Sequence, residues 1–182
     1  TCIIVANHAS YMDWLVAIAA LPTTFAFVAK SELLQTPLIG SLLTKLNTHF
    51  VERFDARQSV KDAAQVGDAV RAGQSLLVYP EGTFRRAAGL APFRLGAFQA
   101  AVQSRAPIVP VTISGTRAML PDGAWLPRPA RIEVTISPAL EPTGDDWAAA
   151  VALRNAARAS IARHLDEPLL TFAVNPSDYG RD

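Results

Sequence analysis

Four short apolar runs, each broken off by a polar cluster, constrain this chain more than any other feature. Cys2–Ala6 stops at Asn7-His8-Ala9-Ser10, Phe25–Ala29 at Lys30-Ser31-Glu32, Thr48–Val51 at Glu52-Arg53, and Ser75–Tyr79 at Pro80-Glu81-Gly82-Thr83. Short apolar runs bounded by turn residues read as buried strands. The segments between them carry helical spacing instead. Asp13–Leu21 is stopped by Pro22. Pro37 opens a helix to about Leu46, apolar on Leu38, Ile39, Leu42, Leu43 and Leu46. Ser59–Arg71 turns Val60, Ala63, Ala64, Gly67 and Val70 inward and ends at Gly73 as its C-cap.

Beyond this, FRRAAGLAPFRLG reads as a long loop, Leu95–Ser104 as a helix, and Pro107–Ser114 and Arg131–Ser137 as strands five and six. LPDGAWLPRPA between those strands is turn-rich and peripheral. Asp145–Leu165 is a long helix, capped by Asp145 or its neighbour, with Leu153, Ala157, Ile161 and Leu165 as its buried stripe. Strand–helix alternation predicts an α/β fold with a largely parallel central sheet flanked by helices. The 182 residues, half of them hydrophobic, suit one domain over residues 1–167, with 168–182 as an irregular tail that wraps or dangles.

Composition closes several function classes. A net charge of +1 favours neither a nucleic-acid partner nor an acidic tail. The single cysteine, Cys2, excludes an internal disulfide and a multi-cysteine zinc site, and mildly favours a reducing setting. His8, His49 and His164 have no metal-ligand spacing, and no phosphate-cradling glycine loop is present. The uncharged stretch from Trp14 to Ala29 is shorter than the roughly 20 residues of a membrane span and contains Pro22. The chain opens directly on a strand, as expected of a piece with sequence in front of it.

The carboxyl ends of parallel strands line the usual ligand crevice of such a sheet, so the four polar clusters are expected to converge. His8 is the candidate general base, since an imidazole with an unperturbed pKa of about 6.5 accepts a proton at neutral pH. Asp13, five residues on, is placed to bond one ring nitrogen and fix the tautomer; helix capping is the blander role open to it. Ser10 lacks the context of a nucleophile and is a capping or contact residue. Asn7 shapes the turn, with substrate contact as a weaker option. Lys30 and Arg53 are candidate anion ligands, Arg53 the better because a guanidinium grips phosphate bidentately. Gly82 lets the turn tighten or a ligand approach, Thr83 offers two donors, and Glu81 accepts from a substrate hydroxyl or holds a basic neighbour. Between Glu81 and Arg105, four arginines (Arg85, Arg86, Arg94, Arg105) face one acid, a local balance of +3 suited to phosphates or anionic headgroups.

NHASYMD resembles the NHxSxxD block of the glycerolipid (lysophosphatidate) acyltransferase family. FVERF is similar to its second block, YPEGT to its third and IVPV to its fourth, in family order across Asn7–Val111. The resemblance implies acyl transfer from acyl-CoA or acyl carrier protein to a lysophosphatidate-type hydroxyl. It implies His8 and Asp13 as the catalytic pair, Arg53, Glu81 and Gly82 at the acceptor, and Pro110 shaping the strand near the donor. Asn47 stands where glycine is usual and Tyr79 where phenylalanine is common. Phe84-Arg85-Arg86 replaces the family's Arg-Ser, leaving open which arginine serves. The resemblance also implies attachment at the cytoplasmic side of a membrane, peripherally or through a segment ahead of this chain. The apolar residues Phe84, Leu90, Phe93, Trp125 and Leu126 are candidates to dip into the interface.

The chemistry needs no metal and no cofactor: an imidazole, a carboxylate, a thioester and a hydroxyl are sufficient. Two alternatives remain open on the residues, a hydrolase in which His8 activates water, and a non-enzymatic module that binds anionic lipid through the arginine-rich loop.

Overall fold

The computed structural model of the chain describes residues 1–51, 56–82, 88–121, 124 and 126–171. Among these, six strands form one sheet: β1 Ile3–Ala6, β2 Ala26–Lys30, β3 His49–Val51, β4 Leu76–Val78, β5 Ile108–Ser114 and β6 Glu133–Ile136. Their order is β3-β2-β4-β1-β5-β6. The first five are parallel, and β6 returns antiparallel on β5. The helices are α1 Asp13–Ala20, α2 Pro37–Lys45, α3 Ala56–Arg71, α4 Gly96–Ser104, α5 Thr116–Met119 and α6 Trp147–Ala162. A 3-10 turn covers Ser31–Gln35. The expected α/β architecture is the one that forms. The 3-10 turn and α5 were not expected, because a single turn of helix has too few residues to show a period.

The pleat divides each strand between two cores. Ile3, Val5, Val28, Leu76, Val78 and Ile108 pack with Val66 and Val70 of α3, Phe98 of α4, and Leu153, Ala157 and Ile161 of α6. Ile4, Ala6, Phe27, Leu77, Val111 and Ile113 pack on the other face with Ala17 of α1. Asp146, the neighbour of Asp145, caps α6, accepting from the Ala149 amide at 2.8 Å.

One sequence expectation changes here, and the tail and Pro110 find their places. Leu90 and Phe93, expected at a membrane interface, are core residues, 1% and 4% exposed, because the loop folds back onto the α3, α4 and α6 layer. Leu126 is exposed, while Phe84 and Trp125 lie outside the described residues. The start of the tail is tied down: the Leu90 amide donates to Pro168 O at 2.9 Å, and the Leu170 amide donates to Leu90 O at 3.0 Å. Pro110, expected near the donor, sits in the body of β5 opposite Val5 and below the strand ends. Its carbonyl accepts from Ser137 at 2.9 Å, just past the end of β6. Proline's missing donor therefore costs one backbone bond just past the end of β6, while its carbonyl keeps the bond from Ser137.

The site follows from the topology. β1 and β4 are neighbours, yet β1 leads into α1 on one face and β4 leads towards α4 on the other. Chains that leave adjacent parallel strands in opposite directions open a crevice at their carboxyl ends. His8 follows β1 and Glu81 follows β4 at that point. Among the described residues no helix is long and apolar enough to cross a membrane.

Candidate active site

His8 Nδ1 lies 2.8 Å from Asp13 Oδ2. The Asp13 side chain is fully buried and the His8 side chain is 20% exposed, so the pair has a closed end and an open end. The same Asp13 oxygen accepts from the amides of Ala9 at 2.7 Å and Ser10 at 2.8 Å. A carboxylate held by two fixed amides and one ring N–H cannot swing away. It therefore sets the tautomer, with Nδ1 carrying the proton and Nε2 the basic nitrogen.

The turn after β4 completes the loop. Glu81 accepts the His8 amide on Oε1 at 2.8 Å and the Ala91 amide on Oε2 at 2.9 Å. Three consecutive amides, His8 to Ser10, are thus held by two carboxylates, one from within the loop and one from across the crevice. Burial pushes the Glu81 carboxyl above its usual range, against the downward pull of the His8 and Ala91 amides. Glu81 therefore anchors the His8 loop through backbone amides. Both of its oxygens are committed to backbone amides. Gly82 adopts φ +85°, and its amide closes a turn onto Tyr79 O at 3.0 Å. A β-carbon at Gly82 would lie 2.5 Å from Arg94 Nε, so the exposed Arg94 side chain packs directly on this turn. The glycine is needed for its backbone conformation, whereas the flexible Arg94 side chain could shift to admit a β-carbon.

The other expected residues divide clearly. Asn7 is buried and turned to the sheet: its Nδ2 donates to Ile113 O and its Oδ1 accepts from Ile113 N, both at 2.8 Å. It is a clamp between β1 and β5, which corrects the substrate-contact option. Ser10 is also buried, with Oγ accepting from the Met12 amide at 3.2 Å, so it shapes the loop. Lys30 ends β2 and pairs with Glu32 at 3.1 Å. Arg53, Thr83, Arg85 and Arg86 lie outside the described residues. Tyr79, noted in the sequence only as a departure from phenylalanine, stacks on His8 with ring centroids 4.4 Å apart. Ala91 was invisible beforehand because it acts through its backbone.

The acyltransferase family model matches residues 1–114. A 1-acyl-sn-glycerol-3-phosphate acyltransferase of Chlamydomonas reinhardtii is 30% identical over 171 residues, 93% of this chain and 50% of that protein. One from Limnanthes douglasii is 35% identical over 148 residues, 80% of this chain and 51% of its own length. The crystal structure of the 1-acyl-sn-glycerophosphate acyltransferase PlsC from Thermotoga maritima superposes with a TM-score of 0.73 at 28% identity, covering 90% of this chain and 64% of that one. The chain spans about half the length of these curated relatives. The family model, the relatives and the shared fold agree with the His8–Asp13 and Glu81 geometry, and the chain belongs to the glycerolipid acyltransferase family.

Proposed function

We propose that this chain transfers a fatty acyl group from an acyl-CoA or acyl carrier protein thioester to the free hydroxyl of a lysophosphatidate or related lysophospholipid. The observation that carries the reading is the His8–Asp13 pair, 2.8 Å apart, buried at the carboxylate and open at the imidazole. His8 Nε2 takes the proton of the acceptor hydroxyl, and the oxygen attacks the thioester carbonyl. The tetrahedral intermediate collapses with loss of the thiolate, which takes the proton back from the imidazolium. Asp13 holds the ring and stabilises its charged form throughout. Related proteins named for 1-acyl-sn-glycerol-3-phosphate supply the acceptor class.

Arg94, across Gly82, joins Lys30, Arg53, Thr83, Arg85 and Arg86 as candidate ligands for the acceptor phosphate. The basic balance after Glu81 favours an anionic membrane surface as the place where the lipid acceptor is met. Residues 1–167 are the proposed acyltransferase domain. The test is a transfer assay with acyl-CoA and acyl carrier protein donors, lysophosphatidate and an unphosphorylated monoacylglycerol as acceptors, and a water-only control. Wild type should form product only with an acceptor and prefer the phosphorylated one. His8→Ala should lose at least about a hundredfold in turnover. Thioester cleavage at the same rate without acceptor would assign a hydrolase, and normal turnover by His8→Ala would remove the base.

A further inference from the structure

The strand that carries the Pro80-Glu81-Gly82 turn also lays an aromatic ring against the base. β1 and β4 pair Ile4 with Leu77 and Val5 with Val78, so Ala6 and Tyr79 come next in register. By the period of two, His8 lies on the same face as Ala6, and Tyr79 on the same face as Leu77. The two rings meet at a centroid distance of 4.4 Å with 22° between their planes, a stacked contact. The Tyr79 hydroxyl is buried and, among the described residues, has no hydrogen-bond partner. Burial, with the Asp13 charge nearby, pushes the phenol pKa further up and keeps it neutral. A hydroxyl that is buried and unsatisfied is a cost, so the ring and not the oxygen explains what the residue does.

We propose that Tyr79 is a positioning residue for the transfer step, its ring face fixing the imidazole plane of His8 and stabilising the imidazolium formed during catalysis. Asp13 holds Nδ1 and so fixes one edge of the ring. That single bond leaves the imidazole able to tilt about the Nδ1–carboxylate axis, and a flat surface 4.4 Å away removes the tilt. An aromatic face also attracts a cation resting on it. Among the described residues, Asp13 at the start of α1, Tyr79 just after β4 and Glu81 from the following turn contact His8, and the Glu167 charge acts on Glu81. All but Tyr79 stay constant across the variants below, so differences among them report the ring. The inference rests on the acyl-transfer reading.

The test compares wild type, Tyr79→Phe and Tyr79→Leu, with kcat and KM measured across pH and ring-current shifts of the His8 ring protons read by NMR. Tyr79→Phe keeps the face and should hold kcat within twofold and the ring-current shift intact. Tyr79→Leu keeps apolar bulk but loses the face. Its kcat should fall about tenfold with KM little changed, and the acid limb of kcat/KM should move about half a pH unit lower. If the Leu variant fails to fold, Tyr79→Met serves in its place. A Leu or Met variant with wild-type kcat and acid limb would overturn the inference alone, as would a Phe variant that falls with it, since that assigns the role to the hydroxyl. Absence of transfer by wild type would overturn the acyl-transfer reading and this inference with it.

Discussion

At the scale of single residues, the site is a matter of which hydrogen bonds a carboxylate can accept. Asp13 receives three donors on one oxygen, and Glu81 receives one on each of its two. Glu81→Gln is nearly isosteric, but an amide presents one acceptor oxygen and one NH2 group. One of the His8 and Ala91 amides then faces another donor. The expected cost is about 1–3 kcal/mol, with a fall in kcat because the His8 backbone loses its anchor. Thermal melts and turnover at neutral pH check this. The pH dependence runs the other way. Burial raises the folded-state pKa of Glu81, so its ionisation opposes folding. Its stability contribution is full below the ordinary value of 4.5 and is lost as pH rises towards the raised folded value. The stability advantage of wild type over Glu81→Gln should therefore shrink upward from about pH 4.5; an advantage that grows with pH would show that the His8 and Ala91 amides outweigh burial. His8 and Asp13 were legible in the sequence because their partnership is local, five residues across one turn. The role of Glu81 was not, because its partners are backbone amides of distant residues and side-chain identity carries no trace of them.

At the scale of elements, the last turns of α6 and the segment after it hold the loop that feeds the site. Arg158 donates through Nη2 to Leu90 O and Leu170 O, both at 2.8 Å, and through Nε to Ala91 O at 3.1 Å. Glu167 accepts the Gly89 amide at 2.7 Å and pairs with Arg117 Nε at 2.9 Å. These bonds fix residues 89–91, and the Ala91 amide passes the constraint to Glu81 and so to His8. Arg158→Met keeps the side chain's length and takes a donor from three carbonyls, of which Leu90 O keeps the Leu170 amide. It should lower stability by about 2 kcal/mol, or roughly 4–8 °C in Tm. It should also lower kcat with little effect on KM, while Arg158→Lys recovers part of both. Calorimetry beside steady-state kinetics checks this, and a melting temperature equal to wild type would show that the tie carries no weight. The sequence predicted the regular elements on either side, α4 as a helix after the loop and α6 from its apolar period. It left 84–96 as loop and 168–182 as tail because irregular chain stitched by backbone bonds has no period to read.

For the molecule as a whole, strand content was readable from the apolar runs, but the order β3-β2-β4-β1-β5-β6 was not. A parallel sheet's order depends on which way each crossover turns, and several orders fit the same runs. That order is what makes the site. His8 meets Glu81 across 73 residues of sequence, and Asn7 meets Ile113 across 106. No short segment contains the proposed catalytic arrangement, so it should exist only when the sheet does. In a urea titration of wild type, loss of turnover and loss of far-UV circular dichroism should share one midpoint. Asn7→Ala sharpens the test. It leaves the amide and carbonyl of Ile113 unpaired at a buried strand end, a cost of about 2–4 kcal/mol against a total stability of about 5–15 kcal/mol. The midpoint should drop with the slope unchanged, and activity and ellipticity should drop together. If instead turnover in Asn7→Ala vanishes at urea concentrations where the ellipticity is intact, the His8 loop unfolds independently of the sheet. The β1–β5 clamp would then be holding the loop alone and not the fold.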